Sequence, residues 1–266
     1  LVYPGFLNPE FKVIDLASNK EVFHKKVKHF QKQSSGFKVT HLFISQLNSA
    51  STYKLEVISS DQMWKDVRTF KTLVSNKGLL KVLVASCMDD TFNDVGNKIW
   101  PKAFAHNPDI VLLIGDNLYA DIYSGVFVGG KLPATPAQLW QRHVDHAMKL
   151  KLNRMSVLKP ILTTWDDHDY GVDDGDKHYQ YKKESKDIFR TFFPFKENKV
   201  SKNGYGVGSV TSLSNQSIFL LDNRSFRDSK KKKNGQHFGK AQRNWLEKGI
   251  ENSKGMNWII FGDHIY

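Results

Sequence analysis

Two hydrophobic periodicities divide this chain. Over residues 1–75 apolar and polar positions alternate singly. Phe37, Val39 and His41 alternate with Lys38 and Thr40, and Tyr53, Leu55 and Val57 with Lys54 and Glu56. Val67, Thr69 and Lys71 alternate with Arg68 and Phe70. A period of two puts successive side chains on opposite faces of a strand. Turn-rich stretches such as Asn48-Ser49-Ala50-Ser51 separate these segments. Short strands at regular spacing predict a small β-sandwich, a structural or docking module without a catalytic cluster. Ser75-Asn76-Lys77-Gly78 reads as a linker, so residues 76–79 separate the β module from a second domain over 80–266.

Beyond the linker, strand patterns alternate with helical ones. Thr135-Pro136 is an N-cap followed by proline in the first helical position, and Leu139, Trp140, His143, Val144 and Ala147 then share one helical face. Ile188, Phe189, Phe192 and Phe193 form an aromatic stripe that reads as core. Ala241, Trp245, Leu246 and Ile250 make another apolar helix face. VGSVTSL and QSIFLL, joined by Ser214-Asn215, read as a hairpin.

Five short apolar runs carry the chemistry. KVLVAS leads to Cys87, IVLLIG to Asp116, and ILTTW to Asp166, Asp167, His168 and Asp169. SIFLL leads to Asp222, and WIIFG to Asp263 and His264. Such runs predict buried strands of an α/β sheet, whose ligand crevice lies beyond the strands' carboxyl ends. Unconnected stretches thus deliver a thiol, imidazoles and many carboxylates to one edge, as a polynuclear metal centre requires. In GDNLYAD, residues 115–121, Asp116 offers oxygens able to bridge two cations, and Tyr119 can reach the same site as a phenolate. Gly-Asp-Asn alone serves a turn equally well. Thiolate and phenolate donors favour iron(III) over magnesium or calcium. TWDDHDYGVDDGD, residues 164–176, holds six Asp and one His, a repulsion that a cation relieves. For Asp173, Asp174 and Asp176 a solvated acidic turn is the simpler reading. The spacing does not fit an EF-hand.

Composition adds limits. No apolar stretch approaches the roughly 20 residues of a membrane span, and no signal peptide is visible. One cysteine, Cys87, allows no intrachain disulfide. The net charge of +12 would attract phosphate-bearing ligands. Lys230–Lys233 reads as a solvated or mobile loop, because no aromatic residues interleave it as in a nucleic-acid surface.

At this point the chain resembles the PhoD-like (alkaline phosphatase D) branch of the metallophosphoesterases. The residues that carry the resemblance are VASC at 84–87, PDIVLLIGDNLYAD at 108–121, TWDDHDYG at 164–171, LLDNRSFRD at 220–228, and FGKAQRNWL at 238–246 followed by NWIIF. LNSASTYKLEV is similar to a fibronectin III-like segment, with its proline absent, and this family commonly carries such a β domain. The resemblance implies a four-layer α/β/β/α domain and hydrolysis of phosphate monoesters or diesters by a metal-activated water. It implies Cys87, Asp116, Tyr119, Asp167 and His264 as metal ligands for Fe(III) and Ca(II) or another divalent cation. His168 would be general acid or phosphate contact, Asp169 would orient His168, and Arg224 would either grip a phosphate oxygen or serve as an ion-pair arginine. It also implies a phosphate-ester partner and an extracytoplasmic location. Three departures stand out. The family's last strand–His block is missing before Tyr266, so the domain reads as truncated. Asp173 stands where many relatives have Asn, and Asn223 where Thr is frequent. The rival readings are a cell-envelope binding protein with a structural metal and a nucleic-acid module driven by charge. Structural calcium needs neither Cys87 nor Tyr119, and no motif supports the nucleic-acid module.

Overall fold

The computed structural model describes residues 1–5, 8–27, 36–74, 78–88, 93–121, 132–213 and 215–262. Two short strands, β1 (Val2–Pro4) and β4 (Phe37–Val39), pair antiparallel. A larger sheet uses β2 (Glu10–Asp15), β3 (Glu21–Lys26), β5 (Thr52–Ile58) and β6 (Lys65–Lys71) in the order β3-β2-β5-β6. Alternation in β5 buries Tyr53, Leu55 and Val57 with Phe11 and Val13 of β2 and Tyr3 of β1. In β6 the register sets Phe70 opposite Tyr53, with the rings stacked at 5.4 Å. Phe70 therefore packs on this core, and Val67 points outward at 43% exposure. The sheet also takes β9 (Val157–Leu158), parallel to β6, and so reaches past the expected boundary at residue 75. Of the expected linker, residues 76 and 77 lie outside the described residues.

All five apolar runs form strands. β7 (Val82–Ala85), β8 (Ile110–Ile114) and β10 (Ile161–Thr164) make a parallel sheet with β8 in the middle. β11 (Ser201–Asn203), β12 (Ser209–Leu213), β13 (Gln216–Leu220) and β14 (Met256–Ile260) make a mixed sheet in that order. The expected hairpin is β12–β13. Ile110 and Leu112 pack on Ile218 and Leu220, joining the two sheets. Val111 and Leu113 face the opposite way, onto Trp100 of α1 (Asn93–Ala105). Phe219 meets Trp245 of α5 (Gly239–Glu251) at 5.8 Å.

Burial departs from the expectation in three runs. Only β8 and β13, each flanked on both sides, are buried along their length. β7, β10 and β14 are edge strands, with Val84 53%, Ile161 37% and Trp258 48% exposed. An apolar run marks strand propensity but does not say which neighbours will cover it.

The helix signals held, with two shifts. α2 (Pro136–Lys149) starts at the Thr135 capping box, whose backbone N–H donates to Gln138 Oε1 at 2.7 Å. It buries His146 in place of Ala147. The aromatic stripe of α4 (Lys182–Phe192) is core, with Phe192 5.0 Å from Trp140. On α5 the expected apolar face is only half-covered, and Ala241 is exposed. The buried residue there is Gln242, which accepts from the Asp222 N–H at 2.9 Å and donates to its carbonyl at 2.7 Å. A polar side chain has no signature in an apolar pattern, so this clamp was not readable. The lysine run is also anchored. Lys230 reaches Asp174 at 2.5 Å and Lys232 reaches Asp228 at 2.8 Å. The exposed Lys230–Asp174 pair adds little stability, while Lys232 meets a buried Asp228, and the two set the loop beside the acidic segment.

Candidate metal centre

The ends of β7, β8 and β10 meet at one edge. After β8 the chain turns sharply at Gly115, with φ +115°. A Cβ there would come within 2.7 Å of Asp166 Cβ, so only glycine lets the two loops touch. Asp116 follows with φ +50° and Cys87 sits at φ +54°. Left-handed backbone is uncommon outside glycine, and two adjacent instances at a strand edge point to a site that over-determines its backbone. Hydrogen bonds from Cys87 N–H to Gly115 O (3.3 Å) and Met88 N–H to Asp116 O (2.7 Å) lock the two turns together.

The third contributor is α3 (Asp167–Tyr170), one helical turn closed by Gly171 in left-handed geometry. Its four residues are all buried. The Ala120 N–H donates to His168 O, which ties this turn to the Gly115–Asp121 loop.

These turns bring Cys87, Asp116, Tyr119 and Asp167, four of the expected ligands, together with His168, the expected general acid or phosphate contact. Oxygens of Asp116 and Asp167 and a ring nitrogen of His168 all lie within 4.8 Å of one another. Cys87 Sγ is 3.7 Å from Asp116 Oδ2, and the Tyr119 hydroxyl is within hydrogen-bond reach of the same sulfur. The Tyr119 ring lies 4.1 Å from the His168 ring. Desolvation and the Asp116 charge raise the Cys87 pKa, against the pull of the Ser86 and Tyr119 hydroxyls. A thiol so placed gives up its proton readily only to a cation.

The charge balance fits a cation as well. Asp116, Asp121, Asp166, Asp167 and Asp169 are all buried here, and the buried side chains facing them include one guanidinium, Arg224. Desolvation, then the charges of Asp116 and Asp166, push Asp169 well above the usual carboxylate range. Among the described residues, buried Asn117 Oδ1, Asp121 Oδ2 and Asn223 Oδ1 have no hydrogen-bond donor. All three are acceptors, the kind of orphan that a cation or its waters satisfy.

Three expectations need correction. Asp169 does not orient His168. Its carboxylate accepts from Leu118 N–H at 3.1 Å, Asp166 N–H at 3.0 Å and Asn117 Nδ2 at 3.3 Å. At the third position of its turn it points back to the cap, as a capping-box residue does. The partner of His168 is Asp121, with Nδ1 to Oδ1 at 2.7 Å in a buried pair. Burial alone would lower the imidazolium's pKa, but the bond to Asp121 and the charges of Asp121, Asp167 and Asp116 outweigh it and hold the pKa at about 9. Asp121 was legible only as the last acidic residue of GDNLYAD.

Arg224 takes the second of its two expected roles, that of an ion-pair arginine. It is fully buried, and its Nε and Nη2 contact Asp166 Oδ1 at 2.6 and 2.5 Å. Arg224→Met is therefore expected to leave the Asp166 carboxylate buried and uncompensated, at a cost of about 3–5 kcal/mol. Denaturant unfolding reads this directly; a loss under about 1 kcal/mol would mean the pair behaves like an exposed one.

Asp222, too, is a turn residue. It accepts from Trp165 Nε1, Val207 N–H, Arg224 N–H, and both the N–H and hydroxyl of Ser225. Among the acidic-turn residues, Asp174 and Asp176 fit the expectation. The Asp174 N–H holds Asp167 Oδ2 at 2.7 Å, and Asp176 Oδ1 accepts from His178 N–H at 2.8 Å. Asp173 does not fit, because its Oδ1 lies 3.9 Å from His168 Nε2. With Asp121 and His168 it forms a second group able to hold a metal. Asp263 and His264 lie outside the described residues. Gly262 just before them packs against Asp166, where a Cβ would come within 3.1 Å of Asp166 Cβ.

Comparison with known proteins points the same way. The family profile "PhoD-like phosphatase" matches residues 82–266. A solved structure titled "Structure of PhoD" superposes with a TM-score of 0.69 at 18% identity. The match covers 97% of this chain and 56% of that one, so this chain spans about half the length of its structural relative. A β-glucuronidase from Parabacteroides merdae, 14% identical over 60% of this chain and 26% of that one, superposes at a TM-score of only 0.23. No curated protein matches the sequence.

Proposed function

Because the chain belongs to the PhoD-like phosphatase family, we propose that it hydrolyses phosphate esters at the sheet edge where exposed Cys87 and half-buried Tyr119 meet buried Asp116, Asp167 and His168. The observation that carries this reading is the cluster of Asp116, Asp167 and His168 with ligand atoms within 4.8 Å. Asp116 would be the carboxylate shared between cations. Cys87 and Tyr119 would complete an iron(III) position, since thiolate and phenolate suit that ion. Asp167 would offer hard oxygen to calcium or another divalent ion. Bound cations would supply Lewis acidity to the phosphoryl oxygens and acidify the attacking water.

The protein's own groups would manage the proton. Asp121 holds His168 Nδ1, which leaves Nε2 to carry a proton to the leaving oxygen. Asp169 and the Asp174 N–H keep the turn that bears Asp167 and His168 in place. Arg224 supports Asp166 behind it. Both phosphomonoesters and phosphodiesters belong to the proposed substrate class. An extracytoplasmic setting belongs to the same proposal, since a calcium position fills where calcium is abundant. No helix among the described residues is long and apolar enough to cross a membrane.

The test is metal analysis of the purified protein with a panel of phosphomonoesters and phosphodiesters. Iron near one equivalent, to an order of magnitude, is expected with a visible tyrosinate–iron(III) absorption band. Zinc alone with no visible band would remove Tyr119 from the ligand set. Calcium alone with no turnover on any ester would make the centre structural.

A further inference from the structure

The helix α2 packs on α4 and also backs both loops of the metal centre. Leu139 joins Leu118 and Ala120 of the Gly115–Asp121 loop in one buried cluster. Arg142 Nε donates to Tyr119 O at 3.1 Å. Just before the helix, Ala134 N–H donates to Gly171 O at 2.7 Å, where the turn bearing Asp167 and His168 ends. The position of α2 against α4 thus bears on both loops.

The seam between the two helices holds a titratable group that ester hydrolysis does not use. His143 is 1% exposed, stacks on Phe192 at 4.9 Å and meets Phe189 and Phe193 edge-on, each at 6.1 Å. Both ring nitrogens are closed to solvent, and neither has a hydrogen-bond partner among the described residues. Neutral, the ring packs as one more aromatic side chain. Protonated, it would bring two N–H donors and a full charge into a nest of phenyl rings. A cation gains something from the face of Phe192, but less than it loses with its water.

The surroundings do not relieve such a charge. Among the described residues, the charged or titratable groups that act on His143 are His146 and Arg142 of its own helix, and both oppose a further positive charge. From α4 it meets only the three phenyl rings. The 3₁₀ turn Lys151–Arg154 and β1 also pack on α2, and neither brings a carboxylate whose charge reaches the ring. Burial first, and then His146 and Arg142, hold the imidazole well below its ordinary pKa.

We propose that the α2–α4 seam is an acid-sensitive latch, in which proton uptake by His143 parts the two helices and loosens the loops of the metal centre. A base kept neutral in the closed seam, but free to charge in the open one, leaves the closed form fully stable above the ordinary imidazole pKa. Below about pH 6.5 the opening constant rises about tenfold for each pH unit. The latch lies outside the metal centre and stands whether or not the phosphate-ester reading holds.

The experiment is hydrogen exchange of the whole chain, purified with its metals, in steps from about pH 7 to about pH 5. Rates are corrected for the intrinsic pH dependence of amide exchange and read on peptides from α2, α4 and the buried strand β13. In the wild type, opening of α2 and α4 should rise about tenfold per pH unit below about pH 6.5 while β13 stays protected. His143→Phe keeps the ring and removes the titration, and should lose that rise. If His143→Phe fails to fold, ¹⁵N-histidine NMR of the wild type replaces it, with the His143 ring expected to stay neutral down to about pH 5 wherever α2 remains closed. The proposal is overturned by an acid response of equal size in His143→Phe, the result expected if protonation of the metal ligands opened the helices. It is equally overturned by no acid response in the wild type, by β13 opening together with α2, or by a His143 ring that charges near pH 6.5 in the closed seam.

Discussion

Asp116→Asn is expected to lose metal and phosphatase activity together. The substitution keeps size and turn propensity, so left-handed backbone at φ +50° remains accessible to it. What changes is charge. Asp116 stands among buried Asp167, Asp169 and His168, and its carboxylate faces Cys87 at 3.7 Å. An amide cannot serve as an anionic bridge between two cations. Metal affinity should fall by roughly 10²-fold or more, beyond what outer-sphere substitutions cost. Without metal the remaining carboxylates repel one another less than in the parent, so the variant should fold. Circular dichroism with metal analysis and a turnover assay on one sample separates the outcomes. Full metal content with full turnover would reduce Asp116 to a turn residue. Full metal content with lost turnover would keep it at the site but deny it the bridging position.

His168→Ala is expected to keep most of its metal and to slow hydrolysis by roughly 10²–10⁴-fold, the range for losing a general acid. The defect should depend on the leaving group. Nitrophenolate departs without a proton and should be little affected, whereas alkyl esters should suffer most. Asp121→Asn should reproduce a milder form of the same selectivity, because it leaves the imidazole in place but takes away the carboxylate bonded to Nδ1 at 2.7 Å. Asp167→Ala should behave differently and strip a cation. Equal losses on both ester types in His168→Ala, with metal retained, would make His168 a phosphate contact. Metal loss in His168→Ala would make it a ligand.

The ligand cluster was legible because its parts are chemically odd where they stand. A thiol after KVLVAS, an Asp after IVLLIG and the acidic string after ILTTW each have a bland reading alone, but together at strand ends they point to something charged. Their convergence needed only parallel β7, β8 and β10 side by side. What each carboxylate does once there was not legible. Asp169 and Asp121 are equally acidic in the sequence, and spacing along a turn favours the nearer one as the partner of His168. The turn geometry sends Asp169 inward to backbone N–H groups and leaves the place beside Nδ1 to Asp121, 47 residues earlier in the chain. Which of its two roles Arg224 takes, and that Asp222 serves a turn, was not legible for the same kind of reason. Their partners, Asp166 and Trp165, come from a different strand end.

By itself, then, the sequence determined the local facts. Periodicity of two or 3.6 follows from backbone geometry and is written residue by residue, so the strands, the Thr135 cap and the aromatic stripe of α4 could be read directly. Ligand chemistry is likewise a property of single side chains. Tertiary structure alone decided pairing and exposure. It left β7, β10 and β14 as edges, extended the N-terminal sheet with β9, enclosed His143 in an apolar nest, and put Asp173 beside His168. Burial and hydrogen bonding are relations between residues distant in the chain, set by how sheets and loops stack, and no local pattern encodes which of two equivalent carboxylates will end nearest a given nitrogen.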